Sequence, residues 1–590
     1  MEKWVEIRRS GDFADIAKKL SVTPITARIL RNRELKDIKE MEAYLSPLSG
    51  KLNDPMLLKG MKRVICVLKE KINANAKIRI IGDYDVDGIC ATYILFKGLT
   101  FFGADADYVI PHRIEDGYGI NIKLIRDAYD AGRDTIITCD NGIAALKETD
   151  YANSLGLTML VTDHHEVPYV MENGNREFKL PEADGIVDPK MPGETYPFTG
   201  ICGAYVAFQT VVAYATENGL SENAEFMRLK EELLEFAALA TVCDVMELKG
   251  ENRTLVIQGM KFMEHSKNLG LSMLIRATGM EGRVLTPYHL GFVIGPCLNA
   301  SGRLDTSLRA LSLFTETDEE QALSKAEDLR TLNEERKAMT LSETEKAFGI
   351  VDSREKLDKV LVVYLPDCHE SLAGIIAGRV REKYTRPTFV ITKTKEGLKG
   401  SGRSVDAYDM YEGLNTVSEY LTKFGGHKLA AGISLKEEDL EAFTAEINEK
   451  CVLRDEDFFE LVRIDMELPF EYATINLARE LERLEPFGNG NDKPLFALRN
   501  VKILNGRLLG SKGNASKYRV LAPSGRTYEM VYFGDVKSFA EDIGKIYGDE
   551  AKEKIHTGQN VEITLDVLYE ISINTYRGVD SVQLLLKHYR

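Results

Sequence analysis

From Lys77 onward the chain repeats one pattern: a short run rich in β-branched and aliphatic residues, a polar cluster, then a stretch of helical periodicity. The runs fall at 78–81, 135–138, 158–162 and 185–187. Strands alternating with helices imply crossover connections, so they predict an α/β domain with a doubly wound parallel sheet covered on both faces. In such sheets ligands collect outside the carboxyl ends of the strands. Three of the four runs end in carboxylates or histidines: Asp83, Asp85 and Asp87, then Asp140, then Asp163, His164 and His165.

The acidic run Asp83-Tyr84-Asp85-Val86-Asp87-Gly88 has the alternation of a calcium loop but not its register. The twelfth position is Ile94 where a bidentate Glu is required, and the run follows a strand rather than a helix. What remains is a cluster of carboxylates at strand ends, whose mutual repulsion requires protonation or a cation. Mixed carboxylate and imidazole ligands suit Mn²⁺ or Mg²⁺ better than calcium. A single Asp at a strand end reads equally well as a turn or helix cap; three such ends together do not. The eight cysteines include no Cys-x-x-Cys pair, so neither zinc nor a disulfide framework is expected.

Residues 1–70 read as polar and helical, broken at Pro24, Pro47 and Pro55. Neither Gly nor Pro occurs from Thr317 to Phe348, which predicts a helix of up to about 48 Å linking two domains. A second α/β unit follows, with strands near 360–364 and 388–392 and a glycine-rich turn at Gly425, Gly426 and His427. After Asp457 the periodicity is that of strands (518–521, 528–533, 561–567, 582–586), predicting a small β barrel in which Tyr518, Tyr528, Tyr532 and Phe533 are candidate base-stacking residues. A 44% hydrophobic content in 590 residues excludes general disorder. No apolar stretch reaches the length of a membrane span, and the first residues lack a signal-peptide core, so a cytoplasmic location is expected. The net charge of −16 argues against non-specific coating of nucleic acid. Residues 375–404 nevertheless hold eight Lys or Arg against two acids, a local excess suited to a strand-tracking groove.

Asp85-Val86-Asp87-Gly88, Cys139-Asp140-Asn141-Gly142, Asp163-His164-His165 and Ala240-Thr241-Val242-Cys243-Asp244-Val245-Met246 resemble, in order, the motifs of the DHH phosphoesterase family. The resemblance extends over nearly the full length to the single-strand-specific exonucleases within that family. It is carried by Pro111-His112-Arg113 with Gly117-Tyr118-Gly119, Asn299-Ala300-Ser301-Gly302-Arg303-Leu304, Gly400-Ser401-Gly402-Arg403-Ser404, Gly425-Gly426-His427 with Ala430-Ala431-Gly432, and Pro486-Phe487-Gly488. One local departure is Cys368 before His369, where members often carry Trp.

The resemblance implies metal ligands Asp85, Asp87, Asp140, His164 and Asp244, with His165 in or beside the set and Asp83 and Asp163 orienting the ligands. Without it, Asp244 would read as the cap of the helix ending at Cys243. It also implies a terminal-phosphate pocket at Arg113, Arg303, Ser401 and Arg403, with His427 on a substrate phosphate. The expected organisation is an N-terminal helical segment (1–70), a DHH catalytic domain (71–315), a connecting helix (316–350), a DHH-associated substrate-binding domain (351–456) and an OB-like barrel (457–590). The implied activity is 5′→3′ hydrolysis of single-stranded DNA to 5′-mononucleotides with two divalent cations, Mn²⁺ or Mg²⁺, in repair and recombination. The expected protein is a monomer partnered by single-stranded DNA, a helicase and a single-strand-binding protein. The alternatives are a phosphodiesterase of short oligoribonucleotides or cyclic dinucleotides, which has little use for a terminal barrel, and an inactive strand-binding scaffold, which has little use for clustered charges.

Overall fold

The computed structural model describes residues 2–46, 50–172, 175–510 and 513–590. The chain divides into two compact units, Lys51–Phe459 and Glu2–Gly50 with Glu460–Arg590.

The first unit begins with the parallel sheet. Its strands lie in the order Asp105–Val109, Lys77–Ile81, Thr135–Cys139, Thr158–Thr162, Gly185–Val187, every pairing parallel. Thr135–Cys139 is buried at every position, as a central strand covered on both faces must be. The edge strand Asp105–Val109, whose sequence is DADYV, is absent from the expected runs because an edge with little buried area needs no aliphatic run. The helix Val86–Phe101 is apolar nearly all round and buried along most of its length, packing on Gly203–Glu217 and Ala224–Cys243. That covering layer fixes the strand ends relative to the start of Gly203–Glu217.

The uninterrupted polar stretch forms one helix, Glu319–Asp352, of 34 residues, or about 51 Å at 1.5 Å per residue. Asp318 caps it through the Gln321 amide. Ala322, Ala326 and Leu329 enter the core of the parallel-sheet domain, whereas Ala347 and Val351 enter that of the next domain. That domain is a five-stranded mixed sheet ordered Lys423–His427, Ala430–Leu435, Gly397–Arg403, Thr388–Thr394, Leu361–Tyr364. The expected glycine-rich turn is itself a strand. Gly425 pairs with Gly432, and at Gly426 (φ +145°) a Cβ would sit 2.4 Å from the Ala430 carbonyl oxygen, so the tight hairpin requires glycine there.

In the second unit, Phe496–Leu509, Ala515–Leu521, Thr527–Tyr532, Val579–Tyr589 and Ile563–Tyr576 pair in that order, and the last strand closes onto the first, giving the expected barrel. Phe496–Leu509 escapes the sequence pattern because two register shifts, at 498–501 and 503–505, break its alternation. The N-terminal stretch is not wholly helical: Glu2–Glu6 is a strand parallel to Glu460–Ile464. Pro24 and Pro55 open helical segments rather than only ending them; Pro47 lies outside the described residues. Of the four candidate stacking residues, Tyr518 is fully buried and hydrogen-bonded to Ser516 and His556, Tyr528 packs on Phe470, and Tyr532 packs on Phe539 and Tyr589. Phe533 alone of these is exposed. Among the described residues no helix is long and apolar enough to cross a membrane.

Candidate metal centre and phosphate cleft

The carboxyl ends of the parallel strands bring the acidic and histidine side chains together. Asp85 caps the helix Val86–Phe101, its Oδ1 accepting from the Asp87 and Gly88 amides at 3.0 and 3.2 Å. Asp87 reaches to the start of Gly203–Glu217, where the amides of Gly203 and Ala204 each donate to one of its oxygens at 2.7 Å, so a helix N-terminus stabilises its charge. Asp140 follows the second expected run with φ +61°, a conformation rare outside glycine that turns its side chain into the cluster. His164 Nε2 lies 3.1 Å from Asp140 Oδ1, 3.4 Å from Asp87 Oδ2 and 3.8 Å from Asp244 Oδ2. Asp244 is the residue ending the helix Ala224–Cys243, so it both caps that helix and faces the cluster.

Three sets of ligand atoms lie within 4.8 Å of one another: Asp140, His164 and His165; Asp87, His164 and Asp244; and Asp83, Asp85 and Asp140. Burial, reinforced by neighbouring carboxylates, pushes Asp83 and Asp140 well above the usual range, raises Asp85, and raises Asp244 to about 8. Burial also lowers His164. Asp163 differs: despite its burial it is held below the usual range by the hydrogen bond from His165 Nδ1 at 2.7 Å, and its Oδ2 accepts from the Ile143 amide. It thus orients the histidine loop and turns no free oxygen toward the cluster. Asp83 Oδ2 and His164 Nδ1 are buried without a hydrogen-bond partner, and no donor is aligned on Asp140 Oδ1. Unneutralised carboxylates with orphaned ligand atoms and hard oxygen and imidazole donors are what a divalent Mn²⁺ or Mg²⁺ would satisfy. The residues present fit such ions.

Beside the cluster stands a group of arginines. Arg113 lies over the Tyr84 ring at 4.6 Å. Arg303 donates to the Ser371 carbonyl at 2.7 Å, bridging the helix Gly295–Leu304 to the second domain, and Arg403 donates to the Gly402 carbonyl at 2.8 Å. Neither Arg303 nor Arg403 meets a carboxylate in an ion pair among the described residues. Burial, together with the charge of Arg113, lowers both guanidiniums, Arg303 to about 9. A cleft of about 610 Å³ has Arg113, Ser401, Lys399 and Lys423 in its wall. Arg303, Arg403 and His427 are not in that wall; His427 is exposed near the hairpin turn, its Nδ1 accepting from the Leu429 amide. The basic stretch 375–404 is partly compensated, because Arg381, Lys383, Lys393 and Lys399 pair with acids. Cys368, the departure from the family pattern, is buried in the core.

Two neighbours of the cluster escape the sequence reading. The fourth predicted run, 185–187, also ends in a carboxylate, Asp188, fully buried, raised by that burial to about 7 and with Oδ2 unpartnered; its place directly after Val187 is the signal in the sequence. Tyr118 donates to the Asp140 carbonyl and lies 3.0 Å from His165 Nε2, a contact for which the Gly-Tyr-Gly turn is the only signal in the sequence.

Family models agree with this layout: the DHH family N-terminal domain matches residues 77–241, the DHHA1 domain 357–452 and the RecJ OB domain 464–588. The chain is 31% identical to the single-stranded-DNA-specific exonuclease RecJ of Bacillus subtilis, over 99% of this chain and 70% of that one. It is 30% identical to the protein of the same name from Haemophilus influenzae, over 97% of each. The crystal structure of RecJ from Thermus thermophilus in complex with Mn²⁺ matches at a TM-score of 0.81 and 26% identity, covering 100% of this chain and 79% of that chain. A second structure of that protein, with Mg²⁺, matches at 0.76 and 25%, covering 100% and 78%. Identity of this extent, spread over three domains in the same order, makes the chain a member of the RecJ family of DHH exonucleases.

Proposed function

We propose that this chain is a metal-dependent exonuclease that degrades single-stranded DNA from the 5′ end and releases 5′-mononucleotides. The observation that carries the reading is the convergence of Asp87, Asp140, His164 and Asp244 in the same unit as Arg303 and Arg403, whose guanidiniums meet carbonyls and, among the described residues, no carboxylate. Asp85, Asp87, Asp140, His164, His165 and Asp244 are the residues that would hold two Mn²⁺ or Mg²⁺ ions. When bound, such ions neutralise the scissile phosphate and lower the pKa of a water molecule, so that it can attack in line. The chain's own contribution is orientation. The Gly203 and Ala204 amides fix Asp87, Asp163 fixes His165, and the left-handed turn at Asp140 aims its carboxylate.

Polarity comes from the arginines. A doubly ionised terminal phosphate held by Arg113, Arg303, Arg403 and Ser401 meets charge-assisted donors that a hydroxyl end cannot use as well. His427 would reach a substrate phosphate only if strand and hairpin approach each other, since it stands outside the cleft wall. The barrel domain supplies a surface for single-stranded DNA beyond the reacting end. It disfavours the reading as a dinucleotide phosphodiesterase, whose substrate needs no such surface. Residues 71–315, 316–350, 351–456 and 457–590 would serve respectively as catalytic domain, connecting helix, substrate-binding domain and strand-binding domain. We place the activity in cytoplasmic DNA repair and recombination, performed by a monomer on strands opened by a helicase and covered by a single-strand-binding protein.

The test is digestion of end-labelled single strands, with and without a 5′ phosphate, in Mn²⁺ or Mg²⁺. Label at the 5′ end should appear first as mononucleotide, and a 5′ phosphate should speed the reaction about tenfold to a hundredfold, from the roughly 1.5–3 kcal/mol of a hydrogen bond to a charged group. Arg403→Ala should lose most of that preference. Release from the 3′ end would overturn the assignment of polarity.

A further inference from the structure

The metal cluster and the arginines account for the phosphates of a strand but leave its bases without a surface. Close to the cluster one is exposed. Tyr288 and Phe292 stack on each other with centroids 5.1 Å apart and planes 23° from parallel, yet they are 64% and 68% exposed. Four residues apart, they project from the same face of the turn formed by Pro287–His289 and the π-helical segment Leu290–Ile294. π-helical turns recur at functional sites, and this one leads without a break into Gly295–Leu304, the helix that carries Arg303.

The segment that carries the pair packs on the helix that ends at Asp244. Cys243 Sγ donates to the Leu290 carbonyl, and a Cβ at Gly291 would sit 3.6 Å from Val242. The segment is therefore seated on the two residues that precede Asp244. Val245, just beyond Asp244, is 65% exposed at φ +56°. Flat π-faces open to solvent, on a segment that packs on the helix ending at Asp244 and continues into the helix carrying Arg303, have the character of a site for unstacked nucleobases.

We propose that Tyr288 and Phe292 form a stacking platform for one or two bases of the single strand close to its reacting end. The proposal rests on the reading of the substrate as single-stranded DNA. Because both rings are exposed, truncation leaves the core intact, and Tyr288→Phe serves as the variant that retains the stacking face.

The test is a scan of 12-nucleotide strands, each carrying one abasic site, cleaved by the full-length protein and by Tyr288→Ala/Phe292→Ala. On unmodified strands the double variant should raise KM about five- to a hundredfold, the range for loss of a stacked base, and Tyr288→Phe should not. An abasic site at one or two adjacent positions should raise KM for the wild type by a similar factor and add nothing for the double variant. An unchanged KM on unmodified strands, or an abasic penalty equal in both proteins at every position, would overturn the platform. Failure of the wild type to degrade single-stranded DNA at all would overturn the substrate reading beneath it, so the two failures are separable.

Discussion

Gly203 has no room for a side chain: a Cβ there would lie 2.7 Å from Asp140 Oδ1 and 2.9 Å from its Cα. The amide of the same residue holds Asp87, so one glycine sets the spacing of two carboxylates that belong to different strand ends. Gly203→Ala should keep the fold and lose about tenfold to a hundredfold in activity, the usual cost of disturbing a residue that orients metal ligands. The check is kcat together with the Mn²⁺ concentration giving half-maximal rate; wild-type values for both would remove this role. Glu235 illustrates a different residue-scale cost. Burial pushes its carboxyl up to about 7 from 4.5, opposed by the Ser266 hydroxyl, which donates to it. An acid whose folded pKa is raised adds stability that is fully present below about pH 4.5 and lost as the pH rises through about 7. Glu235→Gln, which keeps an acceptor for Ser266, should therefore stabilise the protein at pH 8.5 by up to about 3 kcal/mol and change little at pH 4.5. Unfolding midpoints at the two pH values measure the difference, and equal gains at both would contradict it.

At the scale of elements, the helix Glu319–Asp352 determines how Arg303 in one domain faces Ser401 and Arg403 in the other, because its two ends are embedded in the two cores. Leu341 lies between them and is 56% exposed. Proline there removes an internal hydrogen bond and kinks the helix at a cost of about 3 kcal/mol, without cutting into either core. Leu341→Pro should retain most of its circular dichroism while losing the preference for 5′-phosphorylated strands, and Leu341→Ala should retain both. A proline variant with full discrimination would show that the cleft forms without the helix. This helix is also the element most legible in the sequence, since 32 consecutive residues without Gly or Pro leave few alternatives. The catalytic sheet is legible for a related reason: buried parallel strands must be continuous apolar runs, and their polar ends then stand out. Legibility fails where local pattern and role separate. Asp244 is a helix-end residue by its neighbours and a cluster residue only by tertiary approach. Glu2–Glu6 is a polar edge strand with no apolar run to mark it, and Phe496–Leu509 is disguised by its bulges. Tyr518 is a stacking candidate by residue type and wholly core by position.

Considered as a whole molecule, a chain of net charge −16 can handle a polyanion because cations are gathered locally: Arg113, Lys399 and Lys423 line one cleft, and the charges of Arg113, Arg303 and Arg403 act on one another. Its division into units carries the last prediction. Residues 2–50 belong physically with the barrel: Ile16, Leu20, Leu30 and Met41 share a core with Leu477, Leu481 and Leu484. Glu480 accepts from the Thr23 amide at 2.8 Å, and Asn32 donates to the Asp465 carbonyl at 3.1 Å. Deleting 460–590 alone would therefore strand an apolar surface on the N-terminal segment, whereas the fragment 51–459 removes both halves of that core together. Fragment 51–459 should be soluble and retain metal-dependent cleavage at saturating substrate, with affinity for long single strands reduced about tenfold or more through loss of barrel contacts. Fragment 1–459 should aggregate or bind a hydrophobic dye. Sedimentation, strand-binding titrations and single-turnover rates distinguish the cases. Unchanged affinity in a folded 51–459 would take strand binding away from the barrel, and a monomeric, dye-silent 1–459 would show that the N-terminal segment does not depend on it.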